Sequence, residues 1–184
     1  MAATTDIAER VGEMTIDRRR VAYHQAGHAV CAALLGFLFE SVSIQPDATS
    51  NCGLIVDDSF KPEDANEAWR WALVCHAGIA AEFLLTNAPD VFASDDHRED
   101  FEQAFKSLNG VGYAGNDRYW DDLEQDLTNR AVNFLSEPVT WAEVEKLASA
   151  LLKSETLHYE DAMNEMLDAK RLFEGMTNGH RWRR

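Results

Sequence analysis

Two histidines, His24 and His28, stand four residues apart in a stretch, Arg18 to Leu35, that reads as one helix. At that spacing both imidazoles leave the same helix face, one turn apart, and can grip one metal ion. A pair of imidazoles completed by a carboxylate suits Zn2+. The residue beside the first histidine is Gln25. In the His-Glu-x-x-His arrangement that position holds a glutamate, which takes a proton from water at the metal. An amide can hold a water but cannot accept its proton at neutral pH. These residues predict a metal site without its general base. Gly27, in mid-helix, costs about 1 kcal/mol relative to Ala, which predicts that something, such as a strand or a substrate, passes close to the helix there.

Composition narrows what such a site could serve. The 184 residues suit one domain, with a hydrophobic content of 46% that can fill a core. Lys and Arg number 17 against 32 Asp and Glu, a net charge of −15. That surface repels nucleic-acid phosphates and anionic membranes, so neither is expected as a partner. Cys31, Cys52 and Cys75 are odd in number and lack ligand-like spacing, which predicts reduced thiols in a cytoplasmic protein. Met1 to Arg20 has no apolar run of the signal-peptide kind. The longest apolar run, Ala29 to Phe39, is too short to span a bilayer.

Helices must position the histidines, and the periodicity predicts a mainly α fold with a small β-hairpin. Residues 1 to 14 read as weakly structured or as a loose helix from Thr5. The histidine helix is expected to start at Thr15 or Asp17 and stop at Gly36. Glu40 to Pro46 alternates polar and apolar as a strand does. Asp47 to Asn51 is a turn, and Cys52 to Asp57 a second strand antiparallel to the first. A long helix is predicted from Pro62 to about Thr86. It carries His76, read as a packed histidine, and Glu82. In its apolar context Glu82 is a candidate to accept the free N–H of a ligating histidine, or else it is a salt-bridge partner or solvent-exposed. Asp96, with Glu99 three residues on, predicts the N-terminus of a further helix. Asp95, Asp96, His97 and Asp100 all stand there as possible third ligands. Asn109 to Asn116 reads as a flexible glycine-rich link. Helices follow over Asp117 to Leu135, over Pro138 to Leu152 with a Thr140–Glu143 capping box, and over Tyr159 to Phe173, ending at Gly175. One domain spans 1–175, with its core in 15–168. Residues 176–184 form a basic tail, read as flexible.

Several of these stretches resemble the FtsH-type ATP-dependent zinc protease family. Val21-Ala-Tyr-His-Gln-Ala-Gly-His-Ala-Val30 is similar to its metal-binding helix, of form A-Y-H-E-A-G-H-A. Gly78 to Glu82 resembles its Gly-x-Ala-Ala-Glu helix core. Asp100-Phe-Glu-Gln-Ala104 resembles an Asp-Leu-Glu-x-Ala segment that supplies the third zinc ligand. Val144 to Leu157 resembles a segment of form L-A-x-x-L-L-x-x-E-T-L. The likeness runs from about Arg18 to Leu167. It implies an FtsH-like helical metallopeptidase domain in which His24, His28 and Asp100 hold Zn2+ with a water in the fourth position, His97 being the rival to Asp100. A peptide or protein is the implied substrate or partner, and in zinc peptidases an edge strand beside the metal helix often binds it by strand addition. Two departures stand out. No Gly-x-x-x-x-Gly-Lys phosphate loop occurs, so the expected form is a free-standing domain without the ATPase module. Gln25 replaces the base, so the expected protein is a zinc metallopeptidase silenced or strongly impaired as written. The alternative is a pseudo-peptidase that acts as a binding or regulatory module.

Overall fold

The structure, a computed structural model, describes residues 2–45, 53–56, 60–93, 97–113 and 117–179. Among these residues the chain forms six α-helices, α1 (Ala2–Leu34), α2 (Ala65–Thr86), α3 (Arg98–Gly110), α4 (Asp117–Leu135), α5 (Pro138–Ser154) and α6 (Tyr159–Gly179). Three short strands, β1 (Ser41–Ser43), β2 (Gly53–Ile55) and β3 (Thr156–His158), make one antiparallel sheet in the order β2-β1-β3. The architecture is mainly α with a small β element, as the periodicity predicts. The sheet is larger than the expected hairpin. Val42 stands opposite Leu54 on one side and Leu157 on the other. Backbone bonds Ile44 N–H to Glu155 O and Tyr159 N–H to Glu40 O extend the β1–β3 pairing. β3 escaped the sequence reading because three residues between two helices show no usable alternation.

Several boundaries differ from expectation for local reasons. Helix α1 does not begin at Thr15 or Asp17; it is continuous from Ala2, since no proline interrupts a run rich in Ala, Glu and Arg. It stops where expected. Gly36 has φ 85, and the bonds Phe37 N–H to Ala32 O and Gly36 N–H to Ala33 O close the paired C-terminal motif that a left-handed glycine permits. Helix α2 starts after Pro62, at Ala65, because the Asp64 carboxylate accepts from Glu67 N–H and caps it there. Helix α5 starts at Pro138, so Thr140 lies inside the helix and no Thr140–Glu143 capping box forms; Glu143 is buried instead. Helix α3 runs through Asn109 and Gly110, which the sequence reading assigned to a flexible link. Helix α6 passes Gly175 and takes in Met176 to Gly179 of the presumed tail. The turn at 47–51, Cys52 and Asp57, Asp95, Asp96, and the tail from His180 onward lie outside the described residues.

The core is centred on α1 and α2, with α5 against α1 and α3 and α4 against α2. Ala22, Ala26, Ala29 and Val30 of α1 and Ala72, Ala77, Ala80 and Ala81 of α2 are fully buried. Small side chains bring the two axes together. A Cβ on Gly27 would lie 2.5 Å from the Ala77 carbonyl oxygen and 2.7 Å from the Ala81 Cβ. The close approach expected at Gly27 is made by helix α2. Cys31 and Cys75 are buried free thiols. Among the described residues no helix is long and apolar enough to cross a membrane.

Candidate metal centre

Three helices each present a stripe of residues four apart, and the stripes meet at one point. Helix α1 contributes Arg20, His24 and His28. Helix α2 contributes Val74, Gly78 and Glu82. Helix α3 contributes Asp100 in its first turn, on the face it shares with the buried Ala104 and Leu108. Burial of Ala104 and Leu108 turns that face inward and carries Asp100 with it. A carboxylate in a helix's first turn is also favoured by the N–H groups there.

The geometry at the meeting point is tight. His28 Nε2 lies 2.8 Å from His24 Nε2. The Asp100 Oδ2 lies 3.2 Å from His24 Nε2 and 3.4 Å from His28 Nε2. His28 Nδ1 is 2.7 Å from the Val74 carbonyl oxygen, which can only accept, so Nδ1 carries the proton. His24 Nδ1 is 2.8 Å from Glu82 Oε1 and donates to that carboxylate. With both Nδ1 positions protonated, each neutral ring directs its Nε2 lone pair at the other and at a carboxylate oxygen. Such an arrangement is repulsive unless a proton or a metal ion lies between these atoms. For zinc, with ligand distances of about 2.0–2.1 Å, the edge of a tetrahedron is about 3.3 Å. Both carboxylate distances sit at that length. The two nitrogens need to part by about half an ångström.

Glycine makes room for the pair. A Cβ on Gly78 would fall 2.4 Å from His28 Nε2 and 2.6 Å from His24 Cε1 and Nε2. The same missing side chain leaves the Val74 carbonyl, one turn earlier, open to His28. The electrostatics also favour a cation. Burial acts to lower the His24 pKa, but hydrogen bonds and charges from Asp100 and Glu82 outweigh it and raise the value to about 9. Burial works against the Asp100 carboxylate, yet His28 and His24 hold its pKa well below the ordinary range. Without metal the cluster thus keeps a positive charge where a metal ion would bring one. Asp100 is the most exposed of the three, at 23% against 12% and 7% for the histidines, so solvent reaches the cluster from the α3 side.

Glu82 accepts from His24 Nδ1 through Oε1. Its other oxygen accepts from Arg20 Nε at 2.9 Å and Nη2 at 2.7 Å. His97, the rival ligand, is buried just before α3, and its ring stacks on His24 with centroids 5.4 Å apart. Its Nδ1 is 3.8 Å from Glu82 Oε1. His24, Glu82 and His97 form a second group within metal-ligand reach. Glu82 there is already engaged by His24 and Arg20, so the His24–His28–Asp100 group offers the freer lone pairs. Gln25 is buried. His76 is a packed histidine as expected, donating from Nδ1 to Ala72 O against the Phe101 ring. The sequence reading missed Arg20, Val74 and the second role of Gly78. Arg20 precedes His24 by four residues, as His24 precedes His28, and that spacing was the available signal.

No protein-family model and no curated protein matches this chain. What can be said of its chemistry rests on the residues themselves. Three side-chain atoms from two helices, α1 and α3, converge with geometry and charge suited to a divalent metal ion.

Proposed function

We propose that this chain is a zinc-metallopeptidase-type domain related to the FtsH-type family, with its hydrolytic step silenced or strongly impaired by Gln25. The observation that carries the reading is the convergence of His24 Nε2, His28 Nε2 and Asp100 Oδ2, with both histidine tautomers set by Glu82 and Val74. Two imidazoles and a carboxylate are a donor set that catalytic zinc takes, leaving one position open. Zinc in that set supplies Lewis-acid activation of water and of a peptide carbonyl. The protein's own contribution is to orient the ligands, expose the Asp100 side to substrate and exclude water from the α1–α2 side. The residue adjoining His24 on α1 would hold the proton taken from water and pass it to the leaving amine. Gln25 has no basic atom for that task. General-base assistance is worth about 10²–10⁴-fold, about 3–5 kcal/mol of barrier.

The same residue favours a second reading, a pseudo-peptidase that keeps the metal and binds a peptide or protein without cutting it. One experiment separates the two. The protein and its Gln25→Glu variant are expected to hold zinc equally, one ion per chain, while His24→Ala, His28→Ala and Asp100→Ala each lose most of it. Gln25→Glu is expected to gain zinc-dependent cleavage of unstructured peptides, abolished again by His28→Ala. A folded, zinc-loaded Gln25→Glu protein that cleaves nothing removes the peptidase reading in favour of the binding module. A parent protein that takes up no zinc removes both.

A further inference from the structure

Resting on the metal-centre reading above, we propose that Arg20 is a positioning residue for the metal. It clamps Glu82 so that this carboxylate holds His24 with its Nε2 lone pair facing the metal position. Arg20 sits one turn before His24 on α1, and its side chain is 33% exposed, while that of Glu82 is 6% exposed. Two guanidinium N–H groups, Nε and Nη2, converge on one oxygen of Glu82, and the second oxygen accepts from His24 Nδ1. The carboxylate is thereby fixed at both oxygens. The two elements that it joins are the helix carrying the histidines and the helix carrying Gly78.

The chemistry of each group makes the chain directional. A guanidinium is always charged and only donates. Against Arg20 a buried Glu82 therefore stays an acceptor for the imidazole N–H. An unclamped Glu82 could rotate about its side chain and accept from His24 in several geometries, which loosens the ring. Carboxylates that hold a ligating histidine typically change metal affinity 10–100-fold when altered. Arg20 acts one contact further out and needs its planar two-donor fork, which the single ammonium of lysine does not reproduce.

The test is zinc affinity of the full chain, measured by competition with a chromophoric chelator, for the parent, Arg20→Gln, Arg20→Lys, Glu82→Gln and the Arg20→Gln/Glu82→Gln pair. Thermal unfolding of each metal-free protein is measured alongside. Arg20→Gln is expected to bind zinc about 10–100-fold more weakly. Arg20→Lys is expected to fall between it and the parent. The double variant is expected to lose no more than Glu82→Gln alone, because Arg20 acts through Glu82. A role in stability alone would lower the unfolding temperature, leave zinc affinity unmoved and show no dependence on Glu82. Arg20→Gln affinity within twofold of the parent overturns the proposal, and so do losses that add in the double variant. If Arg20→Gln does not fold, Arg20→Lys decides: parent-like affinity overturns the proposal, and an intermediate loss that vanishes in the Glu82→Gln background supports it. A parent that binds no zinc fails the metal-centre reading, and this inference falls with it; parent binding with an indifferent Arg20 fails this inference only.

Discussion

Gly78 is the residue on which the two histidines depend most directly. His24 and His28 cannot simply swing away from an added methyl, because each ring is held at Nδ1 by Glu82 or Val74. A Cβ 2.4 Å from His28 Nε2 must displace one ring or the other. Gly78→Ala is therefore expected to weaken zinc binding at least ~10-fold, the range seen when a ligand's orientation is disturbed. The metal-free protein is expected to lose about 0–2 kcal/mol of stability, an overpacking cost of about 1–3 kcal/mol less the gain of about 1 kcal/mol that Ala brings in helix propensity. Chelator competition and urea unfolding on the same preparations read both quantities. Parent-like zinc affinity in Gly78→Ala would mean that the metal does not sit between the two Nε2 atoms.

At the scale of elements, the α1–α2 contact sets how close the histidines lie to Glu82 and to Val74. An added Cβ at Gly27 would meet the Ala77 backbone carbonyl and the short Ala81 side chain rather than a movable side-chain end. Gly27→Ala forces the helices apart. Overpacking of this kind costs about 1–3 kcal/mol, against a propensity gain of about 1 kcal/mol for Ala. A net loss of about 1–2 kcal/mol in urea unfolding is expected, with weaker zinc binding as the ligating face of α1 withdraws. A stabilised variant would show that the two helices are not in this contact in solution. The histidine spacing, the small-residue run of α2 and the apolar stripe of α3 could all be read along the chain. The strand β3 could not. Its three residues gain their state from β1, whose far edge would otherwise lie open.

For the molecule as a whole, acid sensitivity has an identifiable contributor that is not itself one of the ligands. His76 is buried, its Nε2 has no hydrogen-bond partner among the described residues, and burial, with a smaller contribution from His28, lowers its pKa from 6.5 to about 4, against the raising effects of Ala72 O and Asp100. The unfolded chain binds a proton here below about pH 6.5, and the folded chain does so only near pH 4. Folding stability from this group is thus complete above pH 6.5 and falls as the pH drops from 6.5 to 4. At about 1.36 kcal/mol per unit, the loss is about 3 kcal/mol. His76→Leu is expected to show a shallower fall in stability over that interval, read from urea midpoints at successive pH values. Parallel curves for parent and variant would remove His76 as the cause.

The sequence by itself determined the residues that share a face. Spacings of four put Arg20, His24 and His28 on one side of α1, Val74, Gly78 and Glu82 on one side of α2, and Asp100 above Ala104 and Leu108 on α3, because helical periodicity is local and the chain states it directly. It also determined that position 25 carries an amide and not a base. Which faces meet was decided by tertiary structure. Asp100 could not be chosen over Asp95, Asp96 or His97 from residue types alone, since all four can ligate and all lie within six residues. Only the packing of Ala104 and Leu108 turns Asp100 toward the histidines, while His97 comes to lie against the His24 ring and Glu82. Likewise Arg20 is one more charge on a helix until α2 brings Glu82 within 2.7 Å of it. Contacts between residues 62 positions apart depend on how buried surfaces fit, and that fit has no local signature in the chain.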